Sequence, residues 1–422
     1  MKSRTFTFDN GLRLVFTNVE KSRPATLFVC VKTGSGNEAS ENNGISHFIE
    51  HLNFKGTEKR SAKQISVDFE SIGANANAFT SKNHTCFFAT TLPDKIENCF
   101  DIISDIMFNS KYSQADINRE RKVIFEEIDM YQDDPEAVCY DEFCKNFYFG
   151  TSLERTVLGT KESLEKISRQ DILDYIATNY TAPNIIVSVV GAFPFEKVKS
   201  LTKKYFASRF KGKNTIEEPI KSQVIIPEYR FSCVKKDVAQ TQIAFGFACD
   251  NVYSENRMAL LLISFIFGGS MGSRLFQKVR EEKGLVYSIS CVPELSTNGG
   301  DMLISLGTNR KNQKEALQLV KDEIDFLVDN GFTEEELDRA KIFCKSIVLS
   351  SSELGFDIAK ANALNMSSFN MPMNTLEKIE KIEAVTLEQI NTLAEKVFNF
   401  SNVCGAVVSS GDDEEIFEIF NS

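Results

Sequence analysis

The sequence predicts an α+β protein of two tandem homologous domains, each a mostly antiparallel sheet with helices packed on it. Three observations carry this expectation. At 422 residues the chain exceeds what one hydrophobic core comfortably organises. A helix–break–helix pattern occurs twice: "SQADINRERKVIF" from Ser113 is matched by "TEEELDRAKIFCK" from Thr333, an offset of 220 residues. Strand-like runs follow one another through short turns, which favours helices layered on an antiparallel sheet over a doubly wound one.

The opening "MKSRTFTFDNGLRLVF" alternates like a strand. It carries no apolar core of an export signal and no Arg/Ser-rich transit pattern, so a cytoplasmic location is expected. No run approaches the ~20 apolar residues of a membrane span. "HTCFFATTL" reads as a strand, followed by a helix from "LPDKIENCF" and a second helix from Ser113. "KGKNTIEEPIKSQVIIPEY" is polar with two prolines and reads as a linker. Domains are therefore expected at 1–210 and 229–422, joined by 211–228. In the second half "DMLISLGT" repeats the strand, and Thr333 with Glu336 forms a capping box at the start of the repeated helix.

Composition narrows function modestly. Apolar content of 42% and charged content of 25% are ordinary for a globular protein. The formal net charge of −11 argues against nucleic acid. It would suit neutral or basic peptide partners, although acidity alone equally serves solubility. The ten cysteines form no CxxC pair and are expected to be reduced, small, buried residues.

Two of the three histidines stand together in "GISHFIEHLNFKGT". On a helix, His47 and His51 lie on one face, one turn apart, and can direct two imidazoles at one ion. Zn²⁺ suits this donor set, with a third protein ligand and an open position in a catalytic site. Glu50, beside His51, can take a proton from water at such a site. The order is H-x-x-E-H. The blander alternative, two histidines on a solvated or core-edge face, is opposed by the scarcity of histidine and by the glycine-rich "KTGSGNEASENNG" that would start the helix beside a sheet edge. A third ligand is available in "INRERKVIFEEIDMY", where Glu120 and Glu127 share a face two turns apart and Glu126 does not. The repeat supports chemistry over scaffold here: Ala340 and Ile347 stand opposite Glu120 and Glu127, and the second half contains no histidine.

With these residues in view, "GISHFIEHLNFKGT", "GANANAFTSKNHTCFF", "ERKVIFEEIDMYQDDP" and "GSRLFQKVREEKGLVYSI", in this order, resemble the pitrilysin-type inverzincin metallopeptidases. The branch is the one that includes mitochondrial processing peptidase and its bacterial relatives, and the resemblance spans essentially the whole chain. It implies His47, His51 and Glu127 as ligands of one Zn²⁺ per chain, Glu50 as general base and Glu120 as a supporting acid. It implies that Asn75 to Phe79, with Asn77, Ala78 and Phe79 at the substrate, form an edge strand to which a peptide adds as a further strand. It also implies that Arg280 and Tyr287 grip the substrate. The implied activity is zinc-dependent endoproteolysis of unfolded peptides; the alternative is an inactive partner or scaffold subunit, a role some relatives play. Relatives of this length resemble half of a clamshell, so a homodimer is expected, with a heterodimer as the alternative. Gly36, where relatives often carry Arg, and Asn53 depart from the pattern, with effects expected in packing or subunit contacts. His84 is read as a packing or surface residue.

Overall fold

The computed structural model describes residues 3–19, 23–212, 230–297 and 299–421. The expected linker lies outside the described residues from position 213 to its end. Contacts group the chain into two compact units. One comprises Met1–Ile128, Arg155–Pro219 and Leu349–Thr375; the other comprises Asp129–Glu154, Ile220–Val348 and Leu376–Ser422.

In the first unit six strands, β1 (Ser3–Thr7), β2 (Arg13–Asn18), β3 (Ala25–Val31), β4 (Asn75–Thr80), β5 (Thr85–Thr91) and β6 (Ile185–Gly191), form a sheet in the order β1-β2-β6-β3-β5-β4. Its neighbours run antiparallel except β2 with β6. In the second unit β7 (Arg230–Lys235), β8 (Thr241–Cys249), β9 (Val286–Leu295), β10 (Gly300–Thr308) and β11 (Val403–Ser409) are ordered β7-β11-β8-β10-β9, and β7 with β11 is the parallel pair. The two sheets share one plan, and the predicted α+β class with mostly antiparallel sheets is the observed one.

Both sheets are covered on both faces, and the alternation of side chains along their central strands shows why. Along β3, Leu27, Val29 and Val31 join the core made with the helices Ile45–Asn53 and Ile96–Phe108. Phe28 and Cys30 point the other way and pack with Ala359, Ala363 and Met366 of the helix Gly355–Phe369. Along β8, Ile243, Phe245 and Phe247 enter the main core of the second unit. Ala244 faces Val138, Phe143 and Phe147 of the helix Pro135–Phe147. Gly246 is small for a reason: a Cβ there would lie 2.9 Å from Phe143 Cζ. A phenylalanine buried as completely as Phe143 contributes about 3–5 kcal/mol relative to alanine.

These two covering helices redraw the contiguous division at 211–228. Pro135–Phe147 belongs to the first half of the sequence but packs on the sheet of the second unit, and Gly355–Phe369 belongs to the second half but packs on the sheet of the first. Arg13 ties the latter in place. Its buried guanidinium donates to Met366 O at 2.9 Å, near the end of that helix, and to Pro183 O at 3.0 Å. The 220-residue offset also shortens toward the N-terminal side. The second-unit helix that follows β8 is Arg257–Phe267, so Met271, which stands 220 residues after His51, lies beyond its end and is exposed.

Candidate metal centre

The histidine helix, Ile45–Asn53, begins at Gly44, whose φ of +95° favours glycine, and where a Cβ would meet Leu158 O at 2.6 Å. Two backbone donors at its start are satisfied by a buried carboxylate. Glu38 accepts from Gly44 N at 2.7 Å, Ser46 N at 2.9 Å and Asn43 Nδ2 at 2.9 Å. Burial raises the Glu38 carboxyl, and these donors oppose that rise. Sequence reading missed Glu38; its signal was an acid a few residues ahead of a helix start.

The acidic helix, Gln114–Asp133, is the second contributor. Ser113 caps it, accepting from Asp116 N at 3.2 Å. In the repeat, Thr333 and Glu336 bond reciprocally, Glu336 Oε2 accepting from Thr333 N at 2.8 Å and Thr333 Oγ1 from Glu336 N at 3.3 Å, which is the capping box read from sequence.

Together the two helices bring His47, His51 and Glu127 to one point, with one donor atom from each lying within 4.8 Å of the others. Glu127 Oε2 is 3.8 Å from His47 Nε2 and 3.6 Å from His51 Nε2. Ligands at tetrahedral angles around zinc, with bonds of about 2.0–2.2 Å, stand roughly 3.4 Å apart, so this donor set fits such an ion with little adjustment. His47 is buried, and burial, then the neighbouring His51, push its pKa down to about 3. Its imidazole is therefore neutral near pH 7, the form that ligates a metal. His47 Nδ1 is buried with no hydrogen-bond partner among the described residues.

Glu50 points elsewhere on the same helix. Its Oε2 accepts from Thr80 Oγ1 at 2.6 Å. Burial pushes its carboxyl up to about 7, against the Thr80 hydrogen bond and with a smaller push from Glu127. Glu120 is buried, its Oε2 3.6 Å from His51 Nδ1 and 3.0 Å from Lys55 Nζ. Thus Glu127 faces the Nε2 atoms of both histidines and Glu120 faces Nδ1 of His51.

β4 is the edge strand of its sheet, paired only with β5 among the described residues, and it carries Asn77, Ala78 and Phe79. Its last residue is Thr80, so the open edge ends at the glutamate between the histidines. Sequence reading did not single out Thr80, because a hydroxyl ending a strand has no local signal for a partner thirty residues earlier. His84 Nε2 lies 2.8 Å from Ser367 Oγ of the covering helix, which is a packing role. Asn53 is fully buried, and its Oδ1 accepts from Tyr112 at 2.6 Å, so this departure serves packing.

In the second unit Arg280 sits in a π-helical turn, Phe276–Glu282, exposed, with its guanidinium 4.5 Å from the centre of the Phe276 ring. Lys278, not Arg280, pairs with Glu282. Tyr287 is exposed on β9, the edge strand of that sheet, its hydroxyl accepting from Asn309 Nδ2 at 3.1 Å. Both side chains are available for a ligand.

Two family models match the chain: insulinase (peptidase family M16) over residues 13–161, and the peptidase M16 inactive domain over residues 166–343. A relative from Bacillus subtilis, described as the uncharacterized zinc protease YmxG, is 32% identical over 97% of this chain and 99% of its own length. Among solved structures, a protease from Helicobacter pylori superposes with a TM-score of 0.91 at 24% identity, covering 97% of this chain and 99% of that one. A peptidase M16 inactive domain from Pseudomonas fluorescens superposes with a TM-score of 0.87 at 20% identity, covering 97% and 98%. These two likenesses concern the fold.

Proposed function

Because the chain belongs to peptidase family M16, we propose that it is a zinc-dependent endopeptidase acting on unfolded peptides, with His47, His51 and Glu127 holding one Zn²⁺ per chain. The observation that carries the reading is the convergence of two imidazoles and one carboxylate on a single point beside a second, differently oriented carboxylate, Glu50. When bound, the ion supplies Lewis-acid polarisation of the scissile carbonyl and the attacking water. Glu50 takes the proton of that water and later returns it to the leaving amine. Its carboxyl, raised to about 7 by burial, suits both transfers near neutral pH. Thr80 keeps one Glu50 oxygen in place, leaving the other free for the proton. β4 has no further strand beside it among the described residues along Asn77, Ala78 and Phe79, and an extended peptide adds at this edge with little demand on sequence, taking the Ala78 N–H from Asn77 Oδ1, which accepts from it at 2.8 Å. Arg280 and Tyr287 supply donors to the substrate backbone.

The name of the YmxG relative supports the activity. Against an inactive scaffold role stands the retention of every ligand and of the base. We also propose that two copies form the working enclosure, since the metal-binding residues and the Arg280–Tyr287 pair occur on one chain; light scattering on the purified protein tests this. The activity is tested by zinc content per chain, then by cleavage of a quenched peptide with and without chelator. One zinc per chain and chelator-sensitive cleavage are expected. Zinc binding without turnover would favour a binding or scaffold role.

A further inference from the structure

Glu120 is 2% exposed, and a carboxylate withdrawn that far from water requires compensating partners. Two reach it, both on Oε2: Lys55 Nζ at 3.0 Å and His51 Nδ1 at 3.6 Å. Lys55 lies just past the histidine helix, and its backbone is held by the Lys55 N to Leu52 O hydrogen bond of 3.0 Å. Its side chain, one-third exposed, lies against the carboxylate from a rooted start.

We infer that Lys55 is a positioning residue of the metal centre, acting through Glu120 on His51. This rests on the ligand set proposed above. A neutral imidazole has one donor and one acceptor nitrogen. At 3.6 Å the Glu120 carboxylate is beyond hydrogen-bond distance of His51 Nδ1 and acts on the ring by its charge, which favours the proton on Nδ1 and leaves the Nε2 lone pair free, and Nε2 is the nitrogen that faces Glu127. The centre holds two carboxylates, and a divalent ion attracts both. The ammonium of Lys55 anchors Glu120 in the outer position, behind His51, so that Glu127 alone completes the ligand set. Lys55 is thus what distinguishes two chemically identical side chains placed two turns apart on one helix.

The experiment compares wild type, Lys55→Met, Lys55→Arg, Glu120→Gln and the double variant Lys55→Met/Glu120→Gln. Zinc affinity is read by competition with a chromogenic chelator, and the ligand field by the visible spectrum of the cobalt-substituted protein. Lys55→Met is expected to lose roughly 10–100-fold in zinc affinity, as outer-partner losses do, and to shift the cobalt spectrum. Lys55→Arg should recover most of that loss. In the Glu120→Gln background, Lys55→Met should add nothing, because the group it acts through is gone. Should Lys55→Met alone not fold, the double variant, in which no buried charge is stranded, carries the comparison against Glu120→Gln. Wild-type affinity and spectrum in folded Lys55→Met, or losses that add in the double variant, would overturn the inference while leaving the ligand set standing. A wild-type protein that binds no zinc would instead remove the ligand set, and the inference with it.

Discussion

Replacing Glu50 by glutamine separates catalysis from metal binding within one helix. The substitution keeps shape and keeps an oxygen to accept from Thr80 Oγ1, which now stands 2.6 Å from Glu50 Oε2. What it removes is the capacity to take a proton. General-base catalysis contributes about 10²–10⁴-fold, or roughly 2.7–5.4 kcal/mol at 1.36 kcal/mol per decade. Stability should not fall, because burial already disfavours the charged carboxylate, and a neutral amide avoids that penalty. Zinc should remain, because the converging donors are His47, His51 and Glu127. The assay pairs kcat on a quenched peptide with elemental analysis of the same preparation. Expected is at least a hundredfold fall in kcat with one zinc per chain retained. Loss of zinc along with activity, or a kcat within about tenfold of wild type, would refute the division of labour between Glu50 and the ligands.

His51→Ala and Glu127→Ala should each lose zinc itself, since each removes one of three protein ligands; stoichiometric zinc in either, measured after dialysis, would reject that ligand. The double variant Arg280→Ala/Tyr287→Phe should lose about 10²–10³ in kcat/KM with zinc and folding unchanged if these groups support charge on the attacked carbonyl. A near-silent result would mark the second unit as scaffold. Asp301, buried in the second unit, accepts from the Tyr148 hydroxyl, and burial, with Glu294 adding to it, raises its carboxyl well above the usual range. The folded state therefore keeps a proton that the unfolded chain loses near pH 4, and stability should fall as pH rises above about 4, at up to roughly 1.4 kcal/mol per pH unit, until the folded group ionises. Asp301→Asn should remove that slope, so its melting temperature should gain on wild type progressively as pH rises above about 4; a gap independent of pH would show that Asp301 does not carry the effect.

The sequence by itself determined the features that depend on local spacing. Two histidines at i and i+4 must share a helix face, Glu120 and Glu127 must share another, and Thr333 with Glu336 must cap a helix start, whatever surrounds them. The repeat added a comparison inside one chain, separating acids that recur from acids found only beside the histidines. Three-dimensional packing alone decided the rest. Amphipathic pattern says that the helices Pro135–Phe147 and Gly355–Phe369 each bury a face, but not against which sheet, and each packs on the sheet assembled mainly from the other half of the sequence. The same holds at the site. Thr80 on Glu50 and Lys55 on Glu120 are contacts between a side chain and a partner far along the chain, and no periodicity encodes them. They exist because an edge strand and the acidic helix are brought alongside the histidine helix, where a buried carboxylate must find a donor or a cation to remain buried.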